Sequence, residues 1–343
     1  MATFQEVIAS SMANRFCTDV VLRDVAKAFD KVWHTGLKYK ITTLQLHPCY
    51  TKILTDYITD RTAAIKIDTY TGPSFPLLSG VPQGACLSPT LFSFYTHDMP
   101  PPTPHSEYIQ FADDITQITT NTRNYQYAAR NTQHAIDKIN TYENQWKIQT
   151  NTSKFNIVPL VRKQTADIET YAEILEYTTH GKILGLNFTK NGIQKHVRIR
   201  TNIARDNLQK LQRFYNLSTD NKLKLYKSLV RSALTYPIIP MHTVKPSNMI
   251  QLQRIQNRAL KHITNTKWYH FRTAHSLHFQ CNIEPINIYL HRLAKSHWEN
   301  IETKEPQLYN TLETLLTPDM TTHIHFPSSR RIAEGPPPDP IYR

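Results

Sequence analysis

The chain has 343 residues, room for about two domains of roughly 150 residues each. A hydrophobic fraction of 40% with 10% aromatic residues suits a folded protein and excludes a wholly disordered one. A formal net charge of +13 calls for an acidic partner. Phosphate backbones come first, because neutralising them releases condensed counterions, and a membrane surface comes second. No apolar run approaches the roughly 18 residues of a membrane span, and residues 1–11 lack a charged-then-apolar signal pattern. An intracellular place, nucleus or cytoplasm, is therefore expected, with no secretion and no membrane partner. Cys17, Cys49, Cys86 and Cys281 stand apart with no C-x-x-C spacing, which reads as reduced thiols. His275, His278 and Cys281 offer zinc ligands only if a fourth, such as His270, joins them; an ordinary helix and turn is the competing reading.

Taken in chain order, residues 19–25 form an apolar run broken by Arg23, the pattern of a buried strand, and residues 26–40 turn helical or turn-like. Ile53, Leu54, Tyr57 and Ile58 repeat at helix spacing over 50–60. Short strands at 63–68 and 74–78 flank Tyr70-Thr71-Gly72-Pro73, a hairpin signal. Residues 82–99 read as a loop and then a helix, with Ser88-Pro89 placing proline in a first turn that tolerates it. Two strand-like runs meet at Asp113-Asp114. A long amphipathic helix over 124–148 carries Ile136, Ile139, Tyr142 and Trp146, and strands follow at 155–161 and 183–188. From 197 to 263 the pattern is helical, with Arg198, Arg205, Lys210, Arg213, Lys224, Lys227, Arg254 and Arg258 on its polar faces; this one-sign enrichment points to nucleic acid. The proline-rich end, 318–343, is expected to be disordered. The alternation of strands and helices gives an α+β class for the first part.

Two adjacent acids at a hairpin tip repel each other and gain nothing from burial. A divalent cation between them removes that conflict, since Mg²⁺ seeks hard oxygen ligands and few of them from protein. Together with Asp24 upstream, the pair points to metal-assisted phosphoryl transfer on a nucleic acid.

Three ordered segments then carry a resemblance: Asp24-Val-Ala-Lys-Ala-Phe29-Asp30, Ser79-Gly80-Val-Pro82-Gln83-Gly84 running to Ser88-Pro89, and Phe111-Ala-Asp113-Asp114. They resemble polymerase motifs A, B and C of reverse transcriptases, in particular those of non-LTR retrotransposons of the jockey and LINE type. Asn151-Thr-Ser-Lys154 is similar to motif D, and His180-Gly-Lys182-Ile-Leu184-Gly185 to the segment ahead of the primer grip. Similarity runs on through 229–236 and 252–260.

The resemblance implies a right-hand polymerase palm with partial fingers, followed by an all-α thumb and a helical C-terminal extension. The implied layout is palm start 1–36, partial fingers 37–80, palm 81–190, thumb 191–265, extension 266–317 and tail 318–343. It implies an RNA-directed DNA polymerase that extends a primer 3′-hydroxyl with deoxynucleoside triphosphates on an RNA template. Two Mg²⁺ ions, with Mn²⁺ as an alternative, would lie about 3.5–4 Å apart. Asp24 and Asp113 would bridge them, Val25 would add a carbonyl, and Asp114 would be auxiliary. By the same resemblance Phe29 is a steric gate under the incoming sugar. Gln83 and Gly84 approach the nucleotide, and Lys154 protonates pyrophosphate. Arg61, Lys182, Leu184 and Gly185 lie along the template and primer.

Two departures stand out. Arg23 replaces an apolar residue of the family, and buried it needs an acid. Only about twenty residues precede motif A, so the resemblance implies a truncated piece of a polyprotein. A catalytically inactive remnant that only binds nucleic acid is the alternative. An RNA-dependent RNA polymerase is a third reading, opposed by Phe29 and by the Phe-Ala-Asp-Asp tip.

Overall fold

The computed structural model describes residues 1–122, 124–160, 167–171, 173–266, 273–314 and 328–342. They fall into two compact units, residues 19–178 and residues 1–18 with 179–343. Val161, His270 and residues 318–327, each named in an expectation above, lie outside the described residues.

The first unit is built on a four-stranded sheet of order β6-β7-β1-β8. Its members are β1 (Cys17–Asp24), β6 (Ser106–Phe111), β7 (Asp114–Thr122) and β8 (Asn156–Pro159). Inner strand β1 is buried on both faces through Val21, which explains why its sequence does not alternate. Helices α2 (His34–Thr43), α3 (Pro48–Tyr57), α4 (Ser88–Thr96) and α5 (Tyr125–Gln145) accompany the sheet. One core gathers Val25, Leu37, Ile41, Leu91, Tyr95, Ile115 and Tyr142; a second gathers Val21, Ile136, Phe155 and Ile157. The acids thus stand at strand ends over two packed cores.

The stretch between α3 and α4 holds four two-residue strands: β2 (Thr62–Ala63), β3 (Lys66–Ile67), β4 (Tyr70–Thr71) and β5 (Phe75–Pro76). β2 pairs with β5 around an inner β3–β4 hairpin. The expected turn at Tyr70-Thr71 is therefore strand, and the reversal falls at 68–69, where Asp68 takes a positive φ of 51°. Asp is among the few side chains that tolerate this conformation. A small hairpin of β9 (Glu169–Thr170) and β10 (Glu173–Ile174) packs near α5.

Arg23 finds its acid. Its guanidinium donates to Glu143 at 2.9 Å and to the Asn140 side chain at 2.7 Å, with the Phe155 ring 4.8 Å beneath. Burial pulls its pKa down and Glu143 pulls it back up. Glu143 also accepts from Thr150 at 2.7 Å and from the Tyr171 hydroxyl. The ion pair meets most of what a buried charge requires, although Arg23 Nε has no hydrogen-bond partner among the described residues.

The second unit begins with α1 (Ala2–Ala13). The hairpin β11 (His180–Ile183) and β12 (Leu186–Thr189) comes next, where the sequence reading expected one strand. Leu184 and Gly185 form its tip at φ 45° and 83°, so Gly185 supplies the conformation that turns the chain. Then come α6 (Gln194–Gln212), α7 (Thr219–Leu225) continuing as a π turn, α8 (Ser232–Thr235), α9 (Ile238–His242) and α10 (Pro246–Ile263). α11 (Ala274–Cys281), α12 (Ile286–Lys304), α13 (Pro306–Thr314) and α14 (Ser329–Glu334) complete it.

Residues 1–18 group with these helices. The reason is Glu6. Buried on α1, it accepts from Ser328 at 2.6 Å, from the Ser329 amide at 2.8 Å and from the Arg330 amide at 3.2 Å. The same contacts correct the expected disorder for 328–342. Asn287 adds an amide clamp there, donating to the Asp339 carbonyl at 2.6 Å and accepting from Ile341 at 3.3 Å. Proline content reads as disorder only when nothing recognises the backbone.

Candidate active site

Motif A places Asp24 at the end of β1 with its side chain 26% exposed. Two backbone bonds hold that end. Asn151 N–H donates to the Asp24 carbonyl at 2.8 Å, and Val25 N–H donates to the Asp113 carbonyl at 3.3 Å. The second bond joins motif A directly to the hairpin tip. β6 and β7 pair through Phe111 and Asp114, which leaves Ala112-Asp113 as a two-residue turn. Ala112 takes φ 52°, a left-handed conformation that costs an L-residue roughly 1–2 kcal/mol.

A 3₁₀ turn over Thr152–Lys154 brings in the fourth charge. The Lys154 ammonium donates to Asp24 Oδ2 at 2.9 Å. Its pKa is raised, first by that hydrogen bond, then by the charge of Asp24, with smaller contributions from Asp113 and Asp114. Asp24 contacts this ammonium directly, while Asp113 and Asp114 add only charge at longer range. Across 130 positions, Lys154 thus meets Asp24, and Val25 meets the Asp113 backbone.

The donors are hard carboxylate oxygens, the chemistry Mg²⁺ takes, and an ammonium stands beside Asp24 as a stand-in cation. As they stand they do not close into a cage: among the described residues no three His, Cys, Asp or Glu side chains cluster tightly enough to hold a metal. The donor set fits the ion in kind, and loading it requires Asp24 to exchange Lys154 for metal.

Motif B lies beside motif A. Gly80 takes φ 90°, and a Cβ there would stand 2.8 Å from the Asp30 carbonyl oxygen, so only glycine fits. Val81 N–H donates to the Phe29 carbonyl at 2.7 Å, and Ser79 Oγ to the Asp30 carbonyl at 3.1 Å. Gln83 is exposed and spends its amide on Asp30 Oδ1 at 2.7 Å. Asp30 is thus a structural partner. Gly84 has φ 82° with nothing within 4 Å of its missing Cβ, an open backbone surface. Phe29 is half-buried, its ring 5.3 Å from that of Phe92, so it packs on the core.

Arg61 lies off this cluster. It donates to the Gly80 carbonyl at 3.4 Å, as His34 does at 2.8 Å, and both line a cavity of about 330 Å³ with Lys38. Lys182, Leu184 and Gly185 belong to the second unit. There the Tyr236 hydroxyl donates to the Leu184 carbonyl at 2.6 Å, and its ring packs over Gly185. His278, named as a zinc ligand above, sits 2.7 Å from the Ile283 carbonyl and 3.0 Å from Asn257.

Three residues of consequence were not singled out from sequence. Glu143 and Thr150 tie Arg23 to the segment bonded to Asp24, and Gln110 supports the turn. Only the unmatched charge of Arg23 signalled the first two.

The fold defines a class: an α+β domain with acids at the ends of adjacent strands. Residues 5–188 match the family model described as "Reverse transcriptase (RNA-dependent DNA polymerase)", and the chain belongs to that family. It is 27% identical over 320 residues to the probable RNA-directed DNA polymerase from transposon X-element of Drosophila melanogaster, covering 90% of this chain and 35% of that one. With the RNA-directed DNA polymerase from mobile element jockey of the same organism it shares 26% identity over 306 residues, covering 85% of this chain and 33% of that one. This chain spans about a third of the length of these relatives. A Candida albicans telomerase structure matches at a TM-score of 0.43 and 11% identity, covering 93% of this chain and 54% of that one. Among the described residues, no helix is long and apolar enough to cross a membrane.

Proposed function

We propose that this chain is the polymerase segment of a non-LTR retrotransposon protein, adding deoxynucleotides to a primer 3′-hydroxyl on an RNA template. The observation that carries this reading is the Val25 N–H bond to the Asp113 carbonyl, which joins the Asp24 strand end to the acid-bearing turn. Paired Mg²⁺ ions, or Mn²⁺, held by Asp24 and Asp113 with the Val25 carbonyl and Asp114 beside them, would neutralise phosphate charge and acidify the attacking hydroxyl.

The chain's own groups do the positioning. Phe29, half-buried five residues past Asp24, would collide with a 2′-hydroxyl on the incoming sugar. Gly84 offers backbone without a side chain to a nucleotide, and Gln83 turns from Asp30 to meet it. Lys154 keeps its proton at Nζ and can hand it to the departing pyrophosphate oxygen once free of Asp24. Arg61 and Lys38 offer positive charge to the template, and Lys182, Leu184 and Gly185 meet the primer. Exposed Arg198, Arg205, Lys210 and Lys224 extend a basic face for the duplex.

A second reading is favoured by one observation: Asp24 is engaged by Lys154 and the acids do not form a closed set. It makes the chain a nucleic-acid binder without synthesis. Primer extension on an RNA template, with and without Asp113→Ala, separates the two. The first predicts deoxynucleotide incorporation by the unmodified chain alone. The second predicts salt-sensitive RNA binding and no incorporation, even with Mn²⁺. Preference for ribonucleotides would instead revive an RNA-dependent RNA polymerase.

A further inference from the structure

The acid-bearing turn rests on the outer strand of its sheet. β6 closes the order β6-β7-β1-β8, so no further strand supports it among the described residues. On one side of the turn, Val25 N–H holds the Asp113 carbonyl. On the other side a single side chain does the equivalent work. Gln110 Nε2 donates to the Ala112 carbonyl at 3.2 Å and to Thr96 Oγ1 at 3.0 Å. Both amide hydrogens are spent, one on the turn and one on the last residue of α4, the helix that follows the motif B loop. The Thr96 hydroxyl donates in turn to the Phe92 carbonyl at 3.2 Å, leaving its lone pairs for Gln110.

Packing does not account for this placement. Gln110 is exposed and borders a cavity of about 450 Å³, lined also by Phe92, Met99, Pro101 and Tyr108. A side chain with open space beside it is held by its hydrogen bonds. The residue type is specific: two donors on one nitrogen at this reach are what glutamine supplies, while leucine has no donors and ionised glutamate only accepts. The turn also needs holding, because Ala112 is in a left-handed conformation that glycine would adopt freely.

We infer that Gln110 is a positioning residue for nucleotide addition, clamping the Ala112-Asp113 turn to α4 so that Asp113 and Asp114 face Asp24. This rests on the polymerase reading above, and two readouts keep their failures apart. The first is amide hydrogen exchange across residues 110–115 of the metal-free full chain, which needs no activity. Gln110→Leu and Thr96→Val should each speed exchange there by about tenfold, and the double variant should add little, since either change cuts the same tie.

The second readout is single-nucleotide incorporation on a primed RNA template. Gln110→Leu should lower kcat by about tenfold or more while the deoxynucleotide KM stays within about twofold. Adding Ala112→Gly should restore most of the loss, because the relaxed turn no longer needs the clamp. Unchanged exchange and unchanged kcat in Gln110→Leu overturn the inference. So does a loss shared equally by kcat, KM and melting temperature that Ala112→Gly does not repair. If the unmodified chain incorporates nothing, the polymerase reading falls and exchange alone decides whether the clamp exists.

Discussion

Arg23 and Glu143, separated by 120 positions, form an ion pair at 2.9 Å with side chains 0% and 1% exposed. Because Thr150 bonds the same carboxylate and forms a bridge with Val25, this pair supports the end of β1 that carries Asp24.

Removing one partner leaves the other charge buried. Glu143→Leu should therefore lower unfolding free energy by about 3–5 kcal/mol in urea titrations. Arg23→Met with Glu143→Leu should recover much of it, since the apolar pair has no charge to desolvate. Additive losses in the double variant would show that the two residues act separately.

Lys40 predicts a pH dependence. Its ammonium donates to the Tyr95 carbonyl, Asp98 and the Tyr142 hydroxyl at 2.6, 2.6 and 2.8 Å and lies 3.6 Å over the Trp146 ring. Burial lowers its pKa from 10.5 to about 8, against the hydrogen bond and charge of Asp98. Between those values the unfolded chain binds the proton that the folded chain has released, so stability rises with pH there. Tyr95, raised by burial to about 12, and Tyr142, raised further, work the other way above about pH 10, where the unfolded phenols ionise first. Measured between about pH 7.5 and 9.5, the unmodified chain should gain about 1–2 kcal/mol relative to Lys40→Met. Parallel profiles would contradict this.

The two motif B glycines should separate stability from binding. Gly80→Ala forces a Cβ against the Asp30 carbonyl and should cost about 2 kcal/mol or more, together with most of the activity. Gly84→Ala meets no neighbour and carries only the strain of its positive φ. It should cost about 1 kcal/mol while raising the deoxynucleotide KM, if backbone there meets the nucleotide. Equal thermal shifts for both would contradict the distinction.

Phe29→Val shortens the ring offered to the sugar but keeps a side chain against Phe92. Discrimination against ribonucleotides should fall by about tenfold or more in competitive incorporation assays. Unchanged discrimination with lower stability would leave Phe29 as core packing alone.

Much of this architecture was legible because local rules and global fold agree. The helix over 125–145, proline in the first turn of α4 and the acid-bearing hairpin all followed from spacing and turn chemistry. What escaped depended on long-range partners. Arg23 announced that an acid must exist, but nothing in the spacing pointed to Glu143. Glu6 and Asn287 fix a proline-rich segment that composition alone assigns to disorder. Gln110 reads as an ordinary strand residue until the turn it supports is seen. Ala112 in a left-handed turn was the local signal, invisible in a residue type that seldom adopts it.

The central claim is that Asp24, Asp113 and Asp114 gather at one cation site. Fe²⁺ replacing Mg²⁺, with ascorbate and peroxide, cuts backbone near where the ion binds. The account predicts cleavage around residues 24–25, 112–114 and 151–154 together, suppressed by excess Mg²⁺ and abolished by Asp24→Asn with Asp113→Asn. Cuts confined to one of these segments, or unaffected by both substitutions, would contradict it.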